Sequence, residues 1–277
     1  MAQTEPLQLL AHSDTLLVLQ TTTGLQAEAV SAAPNTPSYG AFNLGLHVND
    51  APKSVLAHRM TLLTLLNRYA GAQPITKIQW LSQVHGDTIY CADTWLTLQA
   101  PAADALISNE VGQALAIMTA DCVPVTLYQP ETGQLAAIHA GWQGLANGII
   151  TKTVAQFNSA APISAWIGAC ISQDNYEVGS TVAHKLYVGC QAAQSIPTGS
   201  AHDFINRYST ASDEADKCYL NLPQLAFDQL HHAGVQVQHT LPVACSYASA
   251  DYYSYRRQTH LSEPATGRMA MVIVRLA

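Results

Sequence analysis

Residues 114–144 read ALAIMTADCVPVTLYQPETGQLAAIHAGWQG, and this stretch decides how the fold is interpreted. Three apolar runs, Ala114–Thr119, Val123–Tyr128 and Leu135–His139, are separated by short polar turns. Apolar runs of this length between turn formers are typical of buried strands. With Ala105–Ser108 before them, they predict consecutive strands of one mixed sheet.

Other patterned stretches surround these strands. We predict further strands at Leu16–Gln20, Ile78–Cys91 (a strand or hairpin), Ala165–Ile167, Val235–His239 and Met269–Val274, and helices at Val55–Tyr69, Leu145–Phe157, Thr181–Val188 and Leu222–His232. The stretch Ala192–Asp216 is the least patterned and predicts a surface excursion. Strands and helices come in mixed order without a repeat or linker, so we expect one α+β domain over residues 1–277.

The composition excludes several classes of protein. The chain is 48% hydrophobic and only 11% charged, which argues against long disordered stretches. Its formal net charge is -7 and its basic residues do not cluster, so a nucleic-acid partner is not expected. No apolar run has the length of a membrane span, and the N-terminus lacks a signal-peptide pattern. The six cysteines are scattered without a CxxC pair, which predicts reduced thiols and a cytoplasmic location.

Three side chains are the main candidates for chemistry. His85, Cys122 and His139 each lie in a short turn at or near the end of an apolar run. Imidazole and thiolate are good ligands for a borderline-soft ion such as zinc, and three protein ligands leave one position free for water or substrate. Convergence of the three would indicate a metal-dependent enzyme. The alternative is two ordinary turn histidines and a buried cysteine.

The same residues permit a second chemistry. Cys122 and His139 could form a nucleophile–base pair, with Asp121 or an amide orienting the base. A metal-bound thiolate and a nucleophilic thiolate both need a lowered thiol pKa, so the sequence leaves this alternative open.

Other motifs suggest how a substrate could be held. The turn from Gly141 to Gly144 precedes a predicted helix, where exposed backbone N–H groups attract anions, although a plain strand-to-helix turn is the competing interpretation. Arg256 and Arg257 follow a run of tyrosines and suit a phosphate, carboxylate or nucleobase. Asn43, in a glycine-containing turn, and Glu177 could bind a sugar or base.

Six motifs in this order resemble one known family. They are Gln83-Val84-His85-Gly86, Ala103-Asp104-Ala105-Leu106-Ile107, Thr119-Ala120-Asp121-Cys122-Val123-Pro124-Val125, His139-Ala140-Gly141-Trp142, Tyr176-Glu177-Val178-Gly179 and Tyr253-Ser254-Tyr255-Arg256-Arg257. Together they are similar to the laccase-domain proteins, which are also called multicopper polyphenol oxidoreductases and, more recently, purine nucleoside phosphorylases.

The resemblance implies a fold, a cofactor and an activity. The fold would be a four-layer αββα sandwich with mixed sheets, like the catalytic domain of the cytotoxic necrotising factor. Zinc would be held by His85, Cys122 and His139. The substrates would be phosphate and the purine nucleosides adenosine, inosine, guanosine and methylthioadenosine, with deamination of adenosine as a second activity. Arg256 matches the catalytic arginine of the family, with Arg257 as the alternative in register, and Asp121 or Glu177 would move the proton.

The chain also departs from the family pattern. Gln143 stands where the family usually has an arginine after the tryptophan, and His58 replaces the usual asparagine before Arg59. Loss of a charge at Gln143 would weaken phosphate binding, because charge-assisted hydrogen bonds are about twice as strong as neutral ones.

Three further functions stay open as alternatives. Copper-dependent polyphenol oxidation is not favoured, since multicopper sites need clustered histidines and this chain contains no His-x-His, although copper could enter the same three-ligand site. A cysteine hydrolase using Cys122 and His139, and a non-catalytic zinc-binding module, are the other two.

Overall fold

The computed structural model describes residues 5–24, 37–94 and 99–277. The strands are β1 (Leu7–His12), β2 (Leu16–Thr21), β3 (Lys77–Gln79), β4 (Ile89–Cys91), β5 (Ala105–Ser108), β6 (Gln113–Thr119), β7 (Val123–Gln129), β8 (Gln134–Ala140), β9 (Ser164–Ile167), β10 (Glu177–Gly179), β11 (Ser209–Ala211), β12 (Lys217–Leu220), β13 (Gln236–Val237) and β14 (Met269–Arg275). The helices are α1 (Pro52–Leu66), α2 (Trp142–Ala146), α3 (Ile149–Val154), α4 (Ser180–Ala192), α5 (Ala201–Tyr208), α6 (Leu222–His232) and α7 (Tyr255–His260).

The strands form two large mixed sheets and one small sheet. The first large sheet has the order β1-β2-β14-β6-β3, and only its β3–β6 pair is parallel. The second has the order β13-β9-β7-β8-β5-β4, with parallel pairs at both ends and antiparallel pairs between them. The small antiparallel sheet is β10-β12-β11. The chain is therefore α+β with several mixed sheets.

Three apolar clusters connect these elements. One cluster contains side chains from both large sheets, such as Leu115 of β6 and Leu135 of β8. The two sheets therefore pack against each other through one apolar face of each. A second packs Leu62 and Leu66 of α1 against the first sheet. The third covers the second sheet with residues of α2, α3, α4 and α6. Burial on both faces explains why the central strands are apolar throughout rather than alternating.

Several sequence predictions are confirmed. The boundaries of β5 and α6 match the predicted ones. α6 begins after Asn221, whose side-chain carbonyl accepts a hydrogen bond from the backbone N–H of Gln224 at 3.1 Å. This N-cap contact satisfies a donor that the first helical turn leaves unpaired.

The prediction of one sheet for residues 105–139 is wrong. β6 belongs to the first sheet, where Thr119 pairs with Met269 of β14, whereas β5, β7 and β8 belong to the second. A buried apolar run does not reveal its partners, and here a partner strand lies about 150 residues away in sequence. The turn between β6 and β7 therefore carries the chain from one sheet to the other, and Cys122 lies at this crossing.

The prediction of a hairpin over Ile78–Cys91 is also wrong. β3 lies in the first sheet and β4 in the second, so the intervening segment with His85 is a second crossing between sheets. The predicted helix Leu145–Phe157 is in fact two short helices, because Gly148 has a φ of 72° and interrupts the helical backbone between them.

Two further predictions need correction. The stretch Ala192–Asp216 is not only a surface excursion, since it contains α5, with Phe204 and Tyr208 buried, and β11. The predicted strand Val235–His239 is limited to β13, Gln236–Val237. None of the helices in the described segments has the length and apolar character that a bilayer crossing needs.

Gly189 tests the packing of α4 on α2. A Cβ at this position would lie 2.7 Å from the carbonyl oxygen of Ala146 and 2.8 Å from its Cβ. We expect Gly189→Ala to lower the free energy of unfolding by about 1–3 kcal/mol, because the added methyl group forces α2 and α4 apart. Urea denaturation measures this.

Gly71→Ala is the matched control, since no atom lies within 4 Å of the added Cβ. It should change stability by less than about 1 kcal/mol. Equal effects of the two substitutions would contradict the close helix contact.

Candidate metal centre

Asp104 lies behind the candidate site and orders two of its residues. It is fully buried just before β5. Its carboxylate accepts hydrogen bonds from the backbone N–H groups of Val84 at 3.3 Å, His85 at 3.0 Å and Gly86 at 2.7 Å. These contacts hold His85 at a positive φ of 60°, which is uncommon for a residue with a side chain.

The same carboxylate orients His139. This residue lies near the end of β8, is 3% exposed, and places Nδ1 at 2.8 Å from Oδ1 of Asp104. Burial raises the Asp104 pKa, but the hydrogen bonds from His139 and from the Gly86 backbone outweigh it, so the pKa falls and the group is ionised. A carboxylate only accepts, so His139 donates from Nδ1 and its Nε2 is left as the possible ligand.

Cys122 completes the group. Its thiol is buried, which raises its pKa, but the charge of His139 and hydrogen bonds from His139 and His85 outweigh this and lower the pKa to about 6. In turn, burial lowers the pKa of His139, and Cys122 and Asp104 raise it to about 9. The two groups therefore stabilise each other as thiolate and imidazolium in the metal-free protein.

The ligand atoms of His85, Cys122 and His139 all lie within 4.8 Å of one another. Within the described segments, this is the one group of three or more His, Cys, Asp or Glu residues arranged to hold a metal ion. One thiolate and two imidazoles form a soft donor set that suits zinc or copper, and a carboxylate behind one histidine is the usual support of such a ligand. The residues therefore fit a metal ion.

Two glycines allow close packing around the three candidate ligands. A Cβ at Gly141 would lie 3.2 Å from Sγ of Cys122 and 3.5 Å from the His85 ring. A Cβ at Gly144 would lie 3.1 Å from the carbonyl oxygen of Gly86. These glycines let α2 approach the ligands closely; an anion site at this turn stays a prediction. Gln143, in the same turn, is exposed.

Asp121 joins the Cys122 turn to the C-terminal segment. Its Oδ1 accepts a hydrogen bond from the hydroxyl of Ser246 at 2.7 Å, and its Oδ2 accepts one from the backbone N–H of Arg256 at 2.7 Å. It is 8% exposed and has a positive φ of 105°, a strained conformation that these contacts hold in place. This geometry makes Asp121 a positioning residue for the turn, and its role in proton transfer stays a prediction.

Arg256 and Glu177 meet through the backbone. Arg256 Nη1 donates to the carbonyl oxygen of Glu177 at 2.7 Å, and its guanidinium lies 5.2 Å from the Tyr176 ring centroid. The Glu177 carboxylate accepts hydrogen bonds from Ser212 at 2.5 Å and from Lys217 at 3.1 Å, and these two contacts lower its pKa. The side chain of Glu177 thus has other partners, and its predicted contact with substrate is untested.

Arg257 and Asn43 have structural contacts of their own. The Arg257 guanidinium donates to backbone carbonyl groups of the loop before α7, those of Ser246, Tyr247, Ser249 and Tyr252. Asn43 is fully buried, and its Oδ1 accepts the backbone N–H groups of Gly45 at 2.9 Å and Arg268 at 2.8 Å. Of the two candidate arginines, Arg256 keeps more of its guanidinium available for a ligand.

Three basic side chains near the centre were not among the predicted site residues. Partial burial lowers the pKa of His47, and the nearby charges of Arg268, Arg59 and His85 lower it further, so this imidazole is neutral at pH 7. Burial lowers the pKa of Arg268 too, whereas Cys122 and Asp121 oppose that effect. The chain has only 12 lysines and arginines, and two of them, Arg59 and Arg268, are half-buried near the triad.

Arg59 is fixed on two sides. Its Nε donates to the carbonyl oxygen of Leu44 at 2.9 Å, and its guanidinium lies 4.1 Å from the centroid of the Trp80 ring. Burial lowers its pKa to about 10, which still leaves it charged at neutral pH. We refer to Arg59 and Arg268, with the neutral imidazole of His47 near them, as the cationic cluster.

The triad, its carboxylate support and the αβ architecture define a class of protein. The chain belongs to the multi-copper polyphenol oxidoreductase laccase family, whose model matches residues 25–276. The match covers most of the chain and confirms the family resemblance.

Relatives of this chain are named purine nucleoside phosphorylases rather than laccases. The chain is 33% identical over 259 residues to "Purine nucleoside phosphorylase Cgl2154/cg2365" of Corynebacterium glutamicum, covering 90% of this chain and 91% of that protein. It is also 33% identical over 257 residues to "Purine nucleoside phosphorylase YfiH" of Escherichia coli, covering 90% and 95%.

Solved structures share the fold. The Neisseria meningitidis protein NMB0706 superposes with a TM-score of 0.75 at 26% identity, covering 99% of this chain and all of that one. YlmD from Geobacillus stearothermophilus gives a TM-score of 0.73 at 26% identity, covering 95% and 92%.

Asp104→Asn tests the support of the metal centre. We expect it to weaken zinc binding by about 10- to 100-fold, because an amide accepts weakly from His139 and holds the His85 turn less firmly. Competition with a chromogenic chelator measures the affinity.

Asp87→Asn is the control, since Asp87 lies in the same segment but pairs with Lys152 on the surface. It should leave zinc affinity unchanged. An Asp104→Asn protein with wild-type affinity would show that the carboxylate does not order the ligands.

Proposed function

We propose that this protein is a zinc-dependent purine nucleoside phosphorylase that also deaminates adenosine. The observation that carries the proposal is the convergence of His85, Cys122 and His139 near the half-buried arginines of the cationic cluster. The names of relatives that match about nine-tenths of this chain support the choice of reaction. The proposed substrates are phosphate with adenosine, inosine, guanosine or methylthioadenosine.

The cationic cluster suits the phosphate. Phosphorolysis forms a bond between a phosphate oxygen and the anomeric carbon while the carbon–nitrogen bond to the purine breaks. The phosphate is an anion throughout, so half-buried arginines that backbone carbonyl groups already hold in place are effective partners. We assign Arg59 and Arg268 to this task, which offsets the charge missing at Gln143.

The metal is assigned from its donors. His85, Cys122 and His139 would hold zinc, which acts as a Lewis acid and lowers the pKa of bound water. In this scheme Arg256 contacts the substrate beside Tyr176, Asp121 holds the Cys122 turn in place, and Asp121 or Glu177 moves the proton. Asn43 orders the backbone next to Arg268, and Gly141 and Gly144 leave room for the substrate.

We also propose how the layers of the fold are arranged. The apolar clusters on both outer faces and between the sheets support a four-layer αββα sandwich built as one unit over residues 1–277. Similarity to the catalytic domain of the cytotoxic necrotising factor stays a prediction from the family resemblance. Cys122, Cys170, Cys190, Cys218 and Cys245 are free thiols, which supports a cytoplasmic location.

The alternatives give different results on metal removal. A cysteine hydrolase using Cys122 and His139 would keep its activity without metal, whereas the zinc enzyme would lose it. A polyphenol oxidase would need copper and would consume oxygen. A non-catalytic zinc module would keep its partner after Cys122→Ala and turn over no nucleoside. Elemental analysis of the purified protein identifies the bound metal.

Inosine with and without phosphate tests the reaction itself. We expect hypoxanthine and ribose 1-phosphate to form only when phosphate is present, because phosphate is the attacking group. Liquid chromatography of the products measures both. Hypoxanthine release at the same rate without phosphate would exclude phosphorolysis. To test the deaminase activity, adenosine is incubated with the protein without phosphate, and the inosine formed is measured by the same chromatography.

Arg59→Gln tests the cationic cluster. We expect it to raise the KM for phosphate by at least about tenfold, because a buried hydrogen bond from a charged group contributes about 1.5–3 kcal/mol. Initial rates at varied phosphate and saturating inosine measure this.

Arg68→Gln is the matched control, because Arg68 follows the same helix but is exposed and pairs with Glu5. Its KM for phosphate should equal that of the wild type. Similar values in both variants would remove Arg59 from the phosphate site.

A further inference from the structure

A second cavity lies away from the metal centre. It has a volume of about 270 Å³ and is lined by β1 and β2 of the first sheet, β9 of the second, and the segment after β13. None of its lining residues belongs to the triad or to the cationic cluster. The proposed phosphorylase reaction does not use it.

Gln20 presents an unpaired acceptor at the wall of this cavity. The residue is fully buried, and its Nε2 donates to the carbonyl oxygens of Thr21 at 3.3 Å and Ala270 at 3.2 Å, which fixes the orientation of the amide. Its Oε1 is buried and has no hydrogen-bond partner among the described residues. A methyl group at Gly168, another wall residue, would overlap this oxygen.

His239 supplies a second unpaired atom in the same wall. Its Nε2 is buried, and no described residue forms a hydrogen bond with it. Burial lowers its pKa, so the ring is neutral at pH 7 and offers one N–H donor and one acceptor nitrogen. Buried polar atoms without partners are costly, and two in one cavity indicate a polar occupant.

The other lining groups limit what the occupant can be. Among the residues that the structure describes, no aspartate, glutamate, lysine or arginine lines the cavity. Its polar side chains are neutral, including Gln8 and Gln238, and Leu10 and Trp166 supply apolar surface. Burial of a charged group here would lack a counter-charge, which excludes phosphates and other ions. The volume falls just below the range for typical ligand pockets, which excludes a nucleotide-sized molecule.

We propose that this cavity binds a neutral nitrogen heterocycle of the size of a free nucleobase. A ring N–H of the ligand donates to Oε1 of Gln20, and a second polar atom of the ligand pairs with His239. The apolar side chains of Leu10 and Trp166 contact the ring. This proposal stands independently of the phosphorylase activity, because it rests on neither the triad nor the cationic cluster.

Calorimetric titration of the zinc-loaded protein with hypoxanthine tests the proposal. We expect His239→Phe, which replaces the imidazole by an apolar ring, to weaken binding by about tenfold, the effect of about one lost hydrogen bond. His231→Phe, at an exposed position on α6 outside this cavity, should bind as the wild type does. A Cys122→Ala variant separates this binding from any at the metal centre and should retain it.

Gln20→Met is a second test, with Gln113→Met as its control. Gln113 is equally buried in a strand of the same sheet, and its Oε1 also lacks a described partner, but it does not line this cavity. Gln20→Met should weaken hypoxanthine binding and Gln113→Met should not. No binding by the wild type, or binding lost in Cys122→Ala and unchanged in His239→Phe, would overturn the proposal. Failure of the phosphorolysis assay with binding intact would count against the proposed reaction alone.

Discussion

The whole site depends on one buried carboxylate. Asp104 accepts three backbone N–H groups from the His85 turn and the Nδ1–H of His139, so a single side chain fixes two ligands that are 54 residues apart in the sequence. An ionised carboxylate without exposure to water is stable only with several donors around it. The surroundings that keep Asp104 charged are therefore the same contacts that hold the ligands in place.

Asp121 repeats this arrangement on the other side of the triad. It binds the hydroxyl of Ser246 and the backbone of Arg256, and so connects the Cys122 turn to the segment before and within α7. Both carboxylates accept hydrogen bonds from backbone N–H groups. Asp121 lies in the crossing from β6 to β7, whereas Asp104, just before β5, binds the crossing between β3 and β4 through the His85 turn. The crossings between sheets and the ligand positions therefore have the same supports.

Local parts of the fold could be predicted from the sequence, and its long-range parts could not. The apolar runs identified β5, β7 and β8 because burial on both faces leaves a clear local pattern. Sheet membership was missed because β6 pairs with β14, and nothing within β6 indicates that partner. The break at Gly148 was missed because a single glycine is tolerated within many helices.

The candidate site, too, could be predicted from the sequence only in part. The motifs pointed to His85, Cys122 and His139, and the structure brings their ligand atoms together. His47, Arg59 and Arg268 come from three separate parts of the chain, and no local spacing joins them. What they share is their proximity, since the charges of Arg59 and Arg268 both lower the pKa of His47, and proximity of this kind is a property of the folded protein. The sequence favoured Arg256 and left Arg257 as the alternative in register, and the fold shows that the Arg257 guanidinium binds carbonyl groups of the loop before α7.

Charge distribution gives the strongest physical reason for an anionic substrate. The chain is acidic, with a formal net charge of -7, yet it places two half-buried arginines near an imidazole pair and a thiolate. Partial burial of Arg59 and Arg268 costs free energy that carbonyl contacts and the Trp80 ring offset only in part. The like charges of the two guanidinium groups, which both act on His47, add to this cost. In the proposed reaction, a phosphate group would relieve this cost by pairing with the guanidinium groups. The cationic cluster would then hold the anion, and the metal centre would serve a different part of the same reaction.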